Sequence, residues 1–163
     1  MMAKKDEKYK EMNQAFEALI KGETDWLANM ANSSAVLNQF MDEINWAGYY
    51  IWRGDELVLG PFQGKTACVR IDKGSGVCGT AFSEERTVLV EDVHQFPGHI
   101  ACDPDSNSEI VIPINADGRV IAVLDIDSPV KSRFDEVDKK YLENFVGILK
   151  KETDFRTLTE NFQ

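Results

Sequence analysis

The stretch from Glu109 to Asp127 leaves this chain the least conformational freedom. Glu109-Ile-Val-Ile-Pro-Ile-Asn115 and Arg119-Val-Ile-Ala-Val-Leu-Asp-Ile-Asp127 are rich in β-branched residues and flank an Asp117-Gly118 pair, the composition of two strands joined by a tight turn. Folded as a hairpin about 116–118, the chain brings Glu109 beside residues 125–127 of the paired strand. Asp125 and Asp127 share one face, because side chains alternate with a period of two along a strand. The hairpin therefore gathers Glu109, Asp125 and Asp127 on one side of a sheet. Crowded carboxylates raise one another's pKa and attract a cation. A solvated acidic strand end would carry the same residues, so this pattern alone leaves both readings open.

Upstream the period is helical. Tyr9, Met12, Phe16, Leu19 and Ile20 recur at three- and four-residue spacing, one apolar stripe. Gly22 ends that helix, and Thr24 or Asp25 can cap the next. Its stripe runs through Trp26, Leu27, Met30, Leu37, Phe40, Met41 and Ile44, and can break near Asn32-Ser33-Ser34. At Trp46 the pattern switches. Residues 46–53 alternate as a strand does, Gly54-Asp55 turns, and 56–62 returns to end at Gly60-Pro61. A third strand is predicted at 67–71, a short helix near 77–84 among Gly74, Gly76 and Gly79, and a short strand at Val88 to Val90. Residues 92–107 hold two Pro, two His and several Asp and Asn, an irregular loop of the length that compact domains reserve for function. A last helix is predicted from about 135, capped by Asp135, with Val137, Tyr141, Leu142, Phe145, Ile148 and Leu149 on one face. Beyond Glu152 the polar tail is expected to fray.

This order implies an α+β fold: a central antiparallel sheet with the N- and C-terminal helices on one face. The 72–107 excursion covers the other face, with a ligand pocket beneath it. One domain is expected over 1–163, with a helical segment at 4–44, sheet and pocket at 45–128, and the C-terminal helix at 135–151.

The net charge of −10 argues against nucleic acid and anionic membranes as partners. No run approaches the ~20 apolar residues of a membrane span, and the polar stretch Met1 to Lys10 lacks a signal core. The expected location is a reducing cytoplasm, where Cys68, Cys78 and Cys102 are poor candidates for structural staples. The same expectation discards Asn32-Ser33-Ser34 as a glycosylation site.

No two cysteines form a C-x-x-C pair. His94, His99 and Cys102 share one loop, but a fourth ligand and rigid spacing are missing, so no metal is expected. Taken singly, each cysteine reads as a small buried hydrophobe. Context adds chemistry. Cys78 lies in Gly-Val-Cys-Gly at the start of a short helix, where free N–H groups and the macrodipole favour thiolate. Cys102 lies in the irregular loop, and Cys68 begins a strand leading toward the glycines. Three thiols near one pocket can supply a nucleophile and a resolving partner. Trp46, Gly48, Tyr50 and Trp52 alternate on one face of the first strand, with Tyr49 and Ile51 on the other. Such a stripe is most often core, yet Gly48 leaves a gap that a ligand could approach.

Six stretches together carry a resemblance: Asn45-Trp-Ala-Gly-Tyr-Tyr50, Leu59-Gly-Pro-Phe-Gln-Gly64, Gly76-Val-Cys-Gly-Thr-Ala81, Ala101-Cys-Asp103, Ser106-Asn-Ser-Glu-Ile110 and Leu124-Asp-Ile-Asp-Ser128. In these the chain resembles the free methionine-(R)-sulfoxide reductases, which are single GAF-domain enzymes. The resemblance implies a GAF-like fold and a thiol mechanism without bound metal or cofactor. It implies that Cys102 is the nucleophile, that Cys68 resolves it by closing a disulfide, and that Cys78 is an auxiliary pocket cysteine. Glu109, Asp125 and Asp127 would hold the substrate ammonium and act on the sulfoxide oxygen, with Asp127 assigned as the acid. Trp46 and Tyr50 would wall the S-methyl group, and backbone N–H groups around Ile100 and Ala101 to Asp103 would hold the substrate carboxylate. Thioredoxin is the implied reductant, and the apolar stripes of the terminal helices suit a homodimer. Two rival readings are a GAF sensory or ligand-binding module and an interaction protein whose terminal helices bundle with a partner. A phosphate ligand would want basic residues in the pocket, where this chain has carboxylates.

Overall fold

The computed structural model describes residues 2–160. Six strands form one antiparallel sheet in the order β3-β2-β1-β6-β5-β4. They are β1 (Trp46–Trp52), β2 (Glu56–Gly64), β3 (Arg70–Asp72), β4 (Val88–Val90), β5 (Ser108–Ala116) and β6 (Arg119–Ser128). Helices α1 (Met2–Ile20), α2 (Trp26–Phe40) and α4 (Glu136–Glu152) lie on one side, and α3 (Gly76–Glu84) lies on the other. Helices α2 and α4 rest on the sheet, and α1 packs against both. No described helix is long and apolar enough to cross a membrane.

The sheet is a divider because its strands alternate. Ala47, Tyr49 and Ile51 of β1 enter the helix-side core with Phe16, Leu37, Leu124 and Phe145. Trp46 and Tyr50 enter a second core with Val77, Cys78, Val111 and Val123. Phe16 stacks on Phe145 at 4.1 Å between ring centroids, a pairing that adds to their area burial. Asp135 caps α4 by accepting from the amides of Val137 and Asp138, while Asp138 accepts from the Asp135 amide, a reciprocal box that satisfies otherwise orphaned donors.

Four local expectations are corrected. Helix α2 does not break at Asn32-Ser33-Ser34. The Ser33 and Ser34 hydroxyls donate to the Met30 carbonyl at 2.8 and 2.9 Å, and Ser33 also bonds the Tyr49 hydroxyl at 2.7 Å, so neither competes with the helix. Strand β2 continues through Pro61 to Gly64, because its register against β1 shifts between Gly48 and Tyr50 and a bulge tolerates proline. The third strand begins at Arg70, which leaves Cys68 in the preceding loop. The tail does not fray before residue 160. Phe155 and Leu158 are 7% and 1% exposed, the Asp154 amide donates to the Thr24 carbonyl at 2.9 Å, and α5 (Arg156–Thr159) follows. The two apolar residues, three apart, outweigh the polar composition around them. The remainder of the tail lies outside the described residues.

Candidate active site

The β5–β6 hairpin has the expected register, with Glu109 opposite Asp127 and Val111 opposite Asp125. On its other side β6 places Asp127 opposite Trp46 and Asp125 opposite Gly48. The three carboxylates and the Trp46 indole therefore occupy one sheet face, the face turned away from the long helices. They form the floor of a cavity of about 50 Å³. The start of α3 makes one wall, and the loop carrying His99, Ile100, Cys102 and Asp103 makes the roof. Ile100 lies against Gly76, where an added Cβ would meet its side chain at 3.2 Å. Cys102 is joined to Cys68 by a disulfide with Cα atoms 5.4 Å apart. Cys78 is the free cysteine of the chain.

The floor is largely buried and acidic. Glu109 and Asp125 are 6% and 5% exposed, and Asp127 is half-buried. Burial pushes the Glu109 carboxyl well above the ordinary range, and the neighbouring Asp125 and Asp127 push it further. Asp127 rises through burial and then the charges of Asp125 and Asp103. Burial raises Asp125 as well, but hydrogen bonds from Glu109 and Cys78 pull it back. Glu109 and Asp127 are thus displaced further toward the neutral form than Asp125. Asp125 Oδ1 is nonetheless buried without a hydrogen-bond partner, a deficit that a ligand donor or cation would relieve.

Cys78 departs from expectation. Its thiol lies 3.9 Å from Glu109 Oε1, and burial followed by the charges of Asp125, Glu109 and Asp127 raises its pKa well above the ordinary thiol value. A helix N-terminus supplies roughly half a positive charge, and burial of the thiol together with the three nearby carboxylates outweighs it. Cys78 is held as a neutral thiol. Gly48 also differs from expectation. An added Cβ there would meet Phe62 Cα at 2.7 Å and the Pro61 carbonyl oxygen at 2.8 Å. The glycine makes room for the bulged β2, not for a ligand.

The polar ends of the aromatic wall hold backbone. Tyr50 donates its hydroxyl to the Cys68 carbonyl at 2.9 Å, and the Trp46 indole N–H donates to the Lys65 carbonyl at 3.2 Å. Both aromatics thus fix the segment that presents Cys68. In the roof, the Cys102 amide donates to the Ile100 carbonyl at 3.0 Å, so in this state it is turned away from any ligand. His94 and His99 stand 6.4 Å apart between ring centroids, but the sulfur of Cys102 is held in the disulfide. The His94–His99–Cys102 group therefore offers no free thiolate to a metal.

Asn45 carries weight that its sequence did not reveal. Its side-chain amide donates to Asp103 Oδ2 at 3.1 Å and to Ser106 Oγ at 3.0 Å, while its own amide donates to the Asp127 carbonyl at 2.9 Å. It ties the cysteine loop to the acidic strand end. A polar amide at the last position before a buried strand was the available signal.

A curled antiparallel sheet with helices on one face and a ligand pocket on the other is the GAF arrangement, and residues 33–149 match the GAF domain family. The chain is 53% identical over 147 residues to the free methionine-R-sulfoxide reductase of Escherichia coli, covering 90% of this chain and 89% of that one. The fRMsr of Staphylococcus aureus in complex with substrate superposes with a TM-score of 0.85 at 52% identity, covering 88% of this chain and 94% of that one. The free methionine-R-sulfoxide reductase of Neisseria meningitidis, also with its substrate, gives a TM-score of 0.85 at 49% identity over 88% of this chain and 87% of that one. Within the GAF domains, the chain belongs to the free methionine-(R)-sulfoxide reductase family.

Proposed function

We propose that this chain reduces free L-methionine (R)-S-oxide to L-methionine, with thioredoxin as the recycling reductant. The observation that carries this reading is the Cys68–Cys102 disulfide set over a pocket floored by Glu109, Asp125 and Asp127. A free amino acid brings an ammonium that a peptide-bound residue lacks. The buried pair Glu109 and Asp125, one of them with an unpartnered oxygen, is built to receive it. Trp46 and Tyr50 offer an apolar wall to the methyl group. The 100–103 backbone takes the carboxylate once the Cys102 amide turns away from Ile100.

In the reaction, the Cys102 thiolate attacks the sulfoxide sulfur. Asp127, kept neutral by burial and its acidic neighbours, protonates the departing oxygen. The protonated oxygen passes from the methionine sulfur to the Cys102 sulfur as the bond between the two sulfurs breaks with its electron pair going to methionine, which leaves, and Cys102 becomes a sulfenic acid. The Cys68 thiol then displaces water from it and closes the disulfide. Two thiols and one sulfoxide thus become a disulfide, methionine and water, and the dithiol of thioredoxin restores both cysteines. Cys78, buried and neutral, serves as an auxiliary pocket group. While the disulfide is closed Cys102 holds no free thiolate, so reduction of that bond precedes each turnover.

The test supplies free and peptide-bound methionine sulfoxide, each as both epimers, with thioredoxin, and measures methionine. Reduction confined to the free R epimer, and abolished in Cys102→Ser, is expected. Equal rates on peptide-bound sulfoxide, or full turnover by Cys102→Ser, would overturn the reading.

A further inference from the structure

We infer that the acidic floor is also a binding site for one zinc-class divalent cation, held by Cys78, Glu109 and Asp125. One ligating atom from each lies within 4.8 Å of the other two, and all three residues are buried. The set combines one thiolate with two carboxylates, which suits a borderline-soft ion such as Zn²⁺ and discriminates against Mg²⁺ and Ca²⁺.

One edge of the ligand triangle is already near what such an ion requires. Tetrahedral bonds of about 2.3 Å to sulfur and about 2.0 Å to oxygen put those two ligands about 3.5 Å apart. Cys78 Sγ and Glu109 Oε1 stand at 3.9 Å, so a contraction of roughly 0.4 Å, within ordinary rotamer play, completes that edge.

A second observation points to a ligand independently of the clustering. Asp125 is 5% exposed and its Oδ1 has no hydrogen-bond partner, whereas buried carboxylate oxygens are almost always satisfied. Cys78, Glu109 and Asp125 all line the same cavity. On binding, Zn²⁺ takes Cys78 as thiolate and both carboxylates as anions, and the protons they held leave to solvent.

The site overlaps the position proposed for the substrate ammonium, but it rests on ligand geometry and not on the reductase reading. The disulfide form makes the test selective, because Cys78 is then the only free thiol. Co²⁺ is titrated into the disulfide-bonded protein, and the thiolate-to-metal charge-transfer band in the near ultraviolet is followed, with Zn²⁺ added to displace it. One Co²⁺ per chain is expected, with a band that disappears in Cys78→Ser and in Glu109→Gln. Asp125→Asn should weaken binding by more than about tenfold, given that loss of supporting groups alone costs about 10–100-fold. A joint His94→Ala and His99→Ala variant should keep the band. Circular dichroism identifies any variant that has not folded, and the three separate ligand substitutions keep the outcome decisive. No band in the parent protein, a band that survives Cys78→Ser, or one that vanishes with the two histidines would overturn the inference.

Discussion

Reducing the Cys68–Cys102 bond should lower the melting temperature of this protein by about 8–15 °C. The two cysteines are 34 residues apart in sequence. Closing a loop of that length removes about 12.6 cal/mol/K from the unfolded ensemble, or about 3.8 kcal/mol at 25 °C. A domain of this size loses about 2–4 °C for each kcal/mol. The enclosed segment contains β3, α3 and β4, whose strands pair in the sheet through bonds of their own, so the effect is expected from the unfolded state. The assay compares thermal melts of the oxidised protein with protein reduced by a phosphine. Thiol counting should rise from one to three, the number of cysteines in the chain. Cys68→Ser should melt like the reduced protein and ignore the reductant, whereas Cys78→Ser should keep the full redox dependence. A fully reduced sample melting within about 2 °C of the oxidised one would refute the reasoning. It would mean that the bond constrains nothing the chain otherwise explores.

Four further outcomes follow from the site and its supports. Asp127→Asn should slow methionine formation in single turnover by at least about 10²-fold, because an amide cannot donate the proton that general acid catalysis supplies; an unchanged rate places the acid elsewhere. The raised pKa of Glu109 makes its contribution to stability full below its unfolded value, with that contribution lost as pH rises through the folded one. Glu109→Gln should therefore gain stability relative to the parent between acid and alkaline urea melts, and a constant difference across pH would count against the assignment. Gly48→Ala should cost about 1–3 kcal/mol in denaturant unfolding, since the new Cβ meets the backbone of the bulge at 2.7 and 2.8 Å; wild-type stability would mean that the bulge yields. Asn45→Ala should speed amide exchange across residues 99–106, with a stability loss of about 1–3 kcal/mol from its unpaired partners, and unchanged exchange there would show that the disulfide alone holds the roof.

Local signals carried most of the fold. The β5–β6 register followed from an Asp-Gly turn between two β-branched runs, and that register alone brought Glu109 and Asp127 opposite each other. The α4 cap was legible because Asp135 precedes an apolar stripe. The misreadings came where a partner distant in sequence decided the local state. Ser33 and Ser34 look like helix breakers until Tyr49 and the Met30 carbonyl take their hydroxyls. The tail looks unstructured until Thr24 accepts from Asp154. Gly48 looks like a ligand gap until Phe62 arrives from a bulge that no local pattern announced.

Cys78 shows the same limit in electrostatic form, and here the correction changes the chemistry. A reading confined to its own helix sees free N–H groups and infers thiolate. Its pKa is raised instead by burial and then by residues 31 to 49 positions later, Asp125, Glu109 and Asp127, delivered by a hairpin on the far side of the loop. The three cysteines accordingly divide by depth. Cys68 and Cys102 are joined in the disulfide and are partly exposed. Cys78 sits on the floor, where its proton is retained and oxidation is disfavoured. One pocket can thus hold a disulfide and a protonated thiol together. Its acidic floor is what separates them, and substituting that floor should make Cys78 more acidic before it alters the disulfide.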